Sequence, residues 1–226
     1  MGKTQALRNG IDAVLAVALG ALCAACGELL EHPTLGPVCD RCWRAIDALP
    51  PSAFQVSSII DRAQAIGPHE DVLRSIVHSL KYDGRRSLAK PIGALIRERC
   101  QWALDGADVV VPVPLHPSRR RERGFNQALD LARALGLPVA RSIRRVRATE
   151  SQTGLTADER HRNIRGAFAS SRWQWRASAV HGRIAVLADD VSTTGATLEE
   201  CARLVKTMGA REVRAVTAAR AAMSRR

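Results

Sequence analysis

Apolar residues recur along the chain with two periods, and the alternation between them predicts the elements. Near the start, apolar side chains at 11, 14, 15, 18, 19 and 22 repeat at helical spacing. Ile11 to Ala25 therefore reads as a short packed or partner-facing helix. Val72, Ile76, Val77 and Leu80 predict a helix over His69 to Leu80, broken by Lys81-Tyr82-Asp83-Gly84-Arg85. Another is expected over Ser87 to Leu104, with Pro91 tolerated only near its start. The run Val109-Val110-Val111-Pro112-Val113-Pro114 predicts the first strand of a sheet, stopped by its prolines. Gln127 to Leu135 is amphipathic again. Ile184 to Ala188 predicts a further buried strand, and Leu198, Cys201, Leu204, Val205 and Met208 mark the helix after it. Such alternation of strand and helix predicts an α/β fold with a parallel sheet flanked by helices. Pro50-Pro51-Ser52 reads as a hinge between an N-terminal module, residues 1–50, and a larger domain, residues 51–226.

The segment between the second predicted strand and its helix carries the chemistry. Asp189 and Asp190 are expected at the strand's carboxyl end, where open α/β sheets bind ligands. Thr193, Thr194 and Thr197 supply hydroxyls, Gly195 lets the backbone close, and the amides from Thr193 through Ala196 to Thr197 open a helix N-terminus suited to phosphate. Paired carboxylates suit the cis hydroxyls of a ribose. The composite target is a ribose 5-phosphate group, with Asp189 and Asp190 in the catalytic position. The pair is expected to be partly exposed in the empty protein rather than buried and salt-bridged. A Walker loop is excluded by the missing Gly-Lys-Thr, and a dinucleotide fingerprint by the missing Gly-x-Gly.

A second signal lies in the N-terminal module. Cys23-x2-Cys26-x12-Cys39-x2-Cys42 forms two knuckles, the spacing with which four thiolates hold a structural Zn²⁺. Two disulfides are the other arrangement open to four such cysteines. His32 lies between the knuckles as a competing ligand, Trp43 reads as a packing anchor, and Cys100 and Cys201 read as buried thiols on helices.

Charge sharpens the division of the chain. Residues 1–60 carry 4 basic and 5 acidic side chains, whereas residues 61–226 carry 30 and 17, so the positive field lies on the predicted phosphate-binding part. Arg119, Arg120, Arg121 and Arg123 sit in a loop after the first strand, offering guanidinium forks to phosphate oxygens, with a solvated basic face or nucleic-acid patch as the other reading. Residues 144–165, polar and weakly periodic, read as a flap closing over the site. Trp173 and Trp175 are expected to pack. Residues 11–25 follow Lys3 and Arg8 as a secretory segment would. Asp12 interrupts the start, however, and the stretch is too short for a membrane span, so a cytoplasmic protein is expected.

The segment from Ile184 to Thr197 resembles the phosphoribosyl pyrophosphate signature of type I phosphoribosyltransferases. The resemblance implies that Asp189 and Asp190 take the ribose 2′- and 3′-hydroxyls and that residues 193–197 cradle the 5′-phosphate. It also implies a pyrophosphate loop containing Arg119 and Arg123, and Mg²⁺ on the pyrophosphate. The order of motifs resembles the ComF/GntX family over nearly the whole chain. These motifs are the cysteine knuckles, Lys81-Tyr82-x-Gly84-Arg85, Val111-Pro112-Val113-Pro114, Arg123-Gly124-Phe125-Asn126-Gln127, Thr149-x2-Gln152-x2-Leu155, Arg160-x2-Asn163 and the two aspartates. That family implies a zinc ribbon joined to a phosphoribosyltransferase-like domain, in a context of DNA uptake and competence. One position departs from the purine-salvage enzymes, which carry an acid where this chain has Thr193. The reading is transfer of ribose 5-phosphate from phosphoribosyl pyrophosphate to an unidentified acceptor. The other reading is a non-catalytic adaptor that binds phosphoribosyl pyrophosphate or a nucleotide and docks a helicase or single-stranded DNA.

Overall fold

The computed structural model describes residues 11, 20–50, 52–148 and 157–221. Its strands are β1 (Ser52–Ala53), β2 (Arg62–Pro68), β3 (Val109–Pro112), β4 (Ile143–Arg145), β5 (Phe168–Ser170), β6 (Ile184–Ser192) and β7 (Glu212–Arg220). Its α-helices are α1 (Asp40–Asp47), α2 (Asp71–Tyr82), α3 (Ala89–Arg99), α4 (Gln101–Leu104), α5 (Pro117–Arg123), α6 (Gln127–Ala134), α7 (Ala157–Ile164), α8 (Gln174–Ala177) and α9 (Ala196–Thr207). The main sheet runs β1-β2-β7-β6-β3. β2, β7, β6 and β3 are mutually parallel, and β1 is an antiparallel edge. β4 and β5 form a separate antiparallel ribbon. This is the expected α/β class.

Period-two alternation divides the core between the two faces of the sheet. Ile66, Val110, Val186 and Val216 meet Leu73, Ile76, Leu80, Ile92, Ile96 and Leu131 of α2, α3 and α6. Their immediate neighbours Ala65, Val109, Val111, Ala185, Leu187 and Ala215 meet Leu198, Cys201, Ala202 and Val205 of α9. Close approach of α3 and α6 depends on Gly93, where a Cβ would lie 2.3 Å from the Cβ of Ala134. The N-terminal module shares the first of these cores: Cys23, Leu30, Cys42 and Ile46 are buried in the same cluster as Leu73 and Ile76. Ser79 Oγ donates to the Ala24 carbonyl at 2.9 Å, and Arg99 Nη1 donates to the Ile46 and Leu49 carbonyls, both at 2.9 Å.

Several elements differ from the sequence expectation. Val109–Pro112 is not the first strand, because β1 and β2 precede it. β2 (Arg-Ala-Gln-Ala-Ile-Gly-Pro) and β7 (Glu-Val-Arg-Ala-Val-Thr-Ala-Ala-Arg) are alanine-rich and weak in strand propensity. Parallel pairing of β7 with β6, and of β2 with β7, rather than local preference, makes them strands. The helix expected over Ser87 to Leu104 is interrupted at Cys100. That expected over Ile11 to Ala25 does not reach Ala25, since Leu22 pairs with Leu29 in an antiparallel bridge around the first knuckle; residues 12–19 and Pro51 lie outside the described residues. No helix among the described residues is long and apolar enough to cross a membrane.

Candidate functional site

β6 extends four residues beyond the expected strand, through Asp189, Asp190, Val191 and Ser192. The reason is its partner: β7 continues alongside it, placing Asp189 opposite Thr217 and Ser192 opposite Arg220, whereas β3 stops at Pro112 opposite Ala188. The two aspartates therefore stand on a strand that overhangs β3, beside a cavity of about 590 Å³. Thr193, Thr194, Gly195, Ala196 and Thr197 line the same cavity. Gly195 caps α9 with φ of +82°, and a Cβ there would lie 2.5 Å from Cγ1 of Val56. The turn accepts only glycine without rearrangement.

Adjacent strand residues face opposite sides of a sheet, so the two carboxylates have unlike surroundings. Asp190 is 9% exposed, and its Oδ1 lies 3.0 Å from Lys81 Nζ at the end of α2. Gln127 Nε2 donates to the Lys81 carbonyl at 3.4 Å, tying the lysine's backbone to the start of α6. Asp189 is half-buried, and its Oδ1 accepts from the Asp190 amide at 2.9 Å. Desolvation, followed by the charge of Asp190, pushes its carboxyl up to about 7, against the opposing pull of Lys81 and Arg145. The expectation of a partly exposed, unpaired acid pair is thus corrected for Asp190, which is buried and ion-paired.

The arginine segment is helical rather than a loop. His116 caps α5, its Nδ1 accepting from the Ser118 amide at 3.3 Å, and Gly124 ends it in the left-handed region. Helical phase sorts the arginines. Arg119 and Arg123, four apart, line the cavity with the aspartates; Arg120 and Arg121 line a different one. The Arg123 guanidinium also lies 4.8 Å from the centroid of the Tyr82 ring.

Four basic residues in the cavity wall were not assigned to the site from sequence: His69, Arg74, Lys81 and Arg145. Burial, then Lys81 and Arg74, lowers the His69 imidazole below its ordinary value, opposed by Asp190. Lys81 was visible only within the Lys-Tyr-x-Gly-Arg motif. His69 directly follows β2, a strand the sequence did not reveal, and Arg74 stands on the expected helix α2, where nothing in the sequence said which cavity it would line.

The cavity thus gathers cations and paired acids at the carboxyl ends of parallel strands, beside a glycine turn into a helix. A family model described as "Phosphoribosyl transferase domain" matches residues 90–226. "DNA utilization protein YhgH" of Salmonella typhimurium is 34% identical over 203 residues, covering 85% of this chain and 81% of that protein. "Competence protein F" of Haemophilus influenzae is 28% identical over 224 residues, covering 92% of this chain and 93% of that protein. "Competence protein ComFC" of Bacillus subtilis is 26% identical over 193 residues, covering 84% and 73%. This chain belongs to the ComF family of phosphoribosyltransferase-domain proteins.

The ComF-type cysteines converge as their spacing predicts. The sulfurs of Cys23, Cys26, Cys39 and Cys42 all lie within 4.8 Å of one another, with Cys26 and Cys39 3.8 Å apart. Such a group is compatible with a tetrahedral metal site. The Ala25 and Cys39 amides each donate to Cys23 Sγ at 3.4 Å. Burial works to raise the Cys23 thiol, but the backbone donors of Cys26, Cys39 and Ala25 outweigh it and lower the thiol to about 6. Burial raises Cys39 and Cys42 instead. His32 is not part of the group, whereas Trp43 packs against the core beside it. Cys100 and Cys201 are buried as expected. Trp173 and Trp175 do not pack: they are 63% and 65% exposed. Of the expected flap, residues 144–148, with the end of β4, and 157–165, with α7, are described, and Thr149, Gln152 and Leu155 lie outside the described residues.

Proposed function

We propose that this protein binds phosphoribosyl pyrophosphate in the cavity beside β6 and transfers its ribose 5-phosphate to a nucleophile. The observation that carries the reading is the meeting of Asp189, Asp190 and residues 193–197 with Arg119 and Arg123 in one cavity. Residues 193–197 hold the 5′-phosphate through amides and hydroxyls at the start of α9. Asp189 and Asp190 accept from the ribose 2′- and 3′-hydroxyls, with Lys81 fixing Asp190 in place. Arg119 and Arg123 bind the pyrophosphate and stabilise the charge that collects there as the C1–O bond breaks. The bonding pair leaves with pyrophosphate, the nucleophile bonds to C1, and its proton is released. Mg²⁺, for which the two carboxylates supply suitable hard oxygen ligands, would when bound neutralise part of the leaving group's charge. Residues 144–165 act as a flap that excludes water. The four cysteines hold one structural Zn²⁺, organising residues 1–50 as a module beside the transferase domain of residues 51–226. In this reading the protein works in the cytoplasm in a context of DNA uptake, which is supported by relatives named "DNA utilization protein YhgH" and "Competence protein F".

A second reading, an adaptor that binds the sugar phosphate without turnover, is favoured by Thr193 standing where purine-salvage enzymes carry an acid. Exposed Trp173 and Trp175, flanked by Arg172 and Arg176, also suit docking of single-stranded DNA or a helicase. Isotope-labelled phosphoribosyl pyrophosphate, incubated with Mg²⁺ and pooled cell metabolites, separates the two. Transfer that disappears in the Asp189→Ala, Asp190→Ala double variant supports the enzyme. Tight binding with no transfer supports the adaptor, and no binding at all removes both.

A further inference from the structure

A second cavity, of about 690 Å³, backs onto α5 from the side opposite the aspartates. Its wall draws arginines from four parts of the chain: Arg86 before α3, Arg120 and Arg121 on α5, Arg133 on α6, and Arg141 and Arg144 at the start of the β4 ribbon. Asp130 is the single carboxylate among the described residues lining it, and that charge is already engaged. It accepts from Arg86 Nε at 2.8 Å and Arg86 Nη2 at 3.0 Å, with Arg133 Nη1 3.6 Å away. Arg120, Arg121, Arg141 and Arg144 have no carboxylate of their own in this wall. Crowding is already felt: burial first, then Arg120, Arg176 and Arg133, lowers the guanidinium of Arg141. Positive charge assembled without counter-charge costs folding free energy, and an anion bridging several guanidinium forks removes that cost.

We propose that this cavity is a second anion site, for a compact chain of phosphate groups such as an inorganic oligophosphate or the phosphate tail of a nucleotide. The concave wall favours a compact ligand over an extended strand. Its floor is apolar, from Pro112, Leu129 and Ile143, and its single aromatic, Phe125, is buried with the Arg86 guanidinium 5.2 Å from its ring centroid. No ring face in this wall is open for a base to stack on. Pro114, Leu115, Asn126 and Arg145 line both cavities, so the two sites share a partition. The second site is independent of whether the first turns over phosphoribosyl pyrophosphate.

Calorimetric titration of the full chain with inorganic tripolyphosphate at about 0.15 M salt tests the assignment. The parent is expected to bind at a site that survives Arg119→Ala with Arg123→Ala. The triple variant Arg120→Ala, Arg121→Ala, Arg141→Ala is expected to weaken that site at least tenfold. Its phosphoribosyl pyrophosphate affinity should stay within about threefold of the parent. Circular dichroism would confirm that both variants are folded. Unchanged tripolyphosphate binding by the triple variant overturns the proposal. So does a parent that ignores tripolyphosphate and ATP yet binds oligodeoxythymidine through these three arginines, which would make the cavity part of a nucleic-acid surface. ATP against tripolyphosphate distinguishes a nucleotide tail from a free chain. A parent that binds tripolyphosphate here but never phosphoribosyl pyrophosphate leaves this site standing and removes only the proposed transferase reading.

Discussion

At the scale of single residues, the unlike environments of Asp189 and Asp190 have measurable consequences. Asp189 holds its proton up to about pH 7 in the fold but ionises near its ordinary value of 3.8 when unfolded. The folded state therefore binds more protons between those values, and stability falls as pH rises from about 4 to about 7. Asp189→Asn should flatten that part of the stability profile. It should also raise the melting temperature at pH 8, by a stability gain on the order of 1 kcal/mol; thermal melts across pH 4–8 give the answer. A parent and variant with parallel profiles would place Asp189 in water. Replacing both aspartates by asparagine keeps the turn's shape yet weakens acceptance from ribose hydroxyls. Binding of phosphoribosyl pyrophosphate should then fall about tenfold or more while inorganic phosphate still binds. Gly195→Ala combines a forbidden φ with a collision at Val56, so it should cost about 1–3 kcal/mol and impair ligand binding together.

At the scale of elements, α5 converts a run of basic residues into two faces. Arg119→Ala or Arg123→Ala should weaken phosphoribosyl pyrophosphate binding about tenfold, whereas Arg121→Ala should leave it within about twofold. Equal losses at all three positions would mean that the segment acts as an unsorted basic loop. The cysteine module is a second case. Since Cys42 and Ile46 lie in one core with Leu73 and Ile76, a metal bound by the four sulfurs would support α2 as well as the knuckles. Chelation, or Cys39→Ser, should lower the melting temperature of the whole molecule by several degrees, with roughly one zinc per chain released. A melting curve indifferent to chelator would detach the module from the stability of the sheet.

At the scale of the whole molecule, the net charge of +12 sets a field that the two kinds of ligand should feel differently. An enclosed sugar phosphate is screened less than a strand lying on exposed arginines. Raising salt from about 50 to 200 mM should weaken phosphoribosyl pyrophosphate binding modestly and any nucleic-acid binding steeply, since each phosphate contact releases counterions. Equal salt slopes for both would place the sugar phosphate on the outer basic face.

Local chemistry determined much of this in the sequence alone. Cysteine spacing brought four sulfurs to one point, because a knuckle's geometry is set within a few residues. Strongly apolar, β-branched runs marked β3 and the first half of β6, and small hydroxyl residues with Gly195 marked the turn into α9. The tertiary structure decided what depends on partners distant in sequence. β2 and β7 are strands because β6 and its neighbours pair with them, against the preference of their alanines. β6 runs on past Ala188 because β7 runs beside it, and that overhang gives Asp190 to Lys81 and leaves Asp189 half-buried without an ion pair of that kind among the described residues. Arg119 and Arg120 are chemically alike and adjacent in the chain, so only the phase of a helix packed against the sheet could assign them to different cavities. His69, Arg74 and Arg145 join the site for the same reason: burial and charge act through space, and a sequence orders only neighbours along the chain.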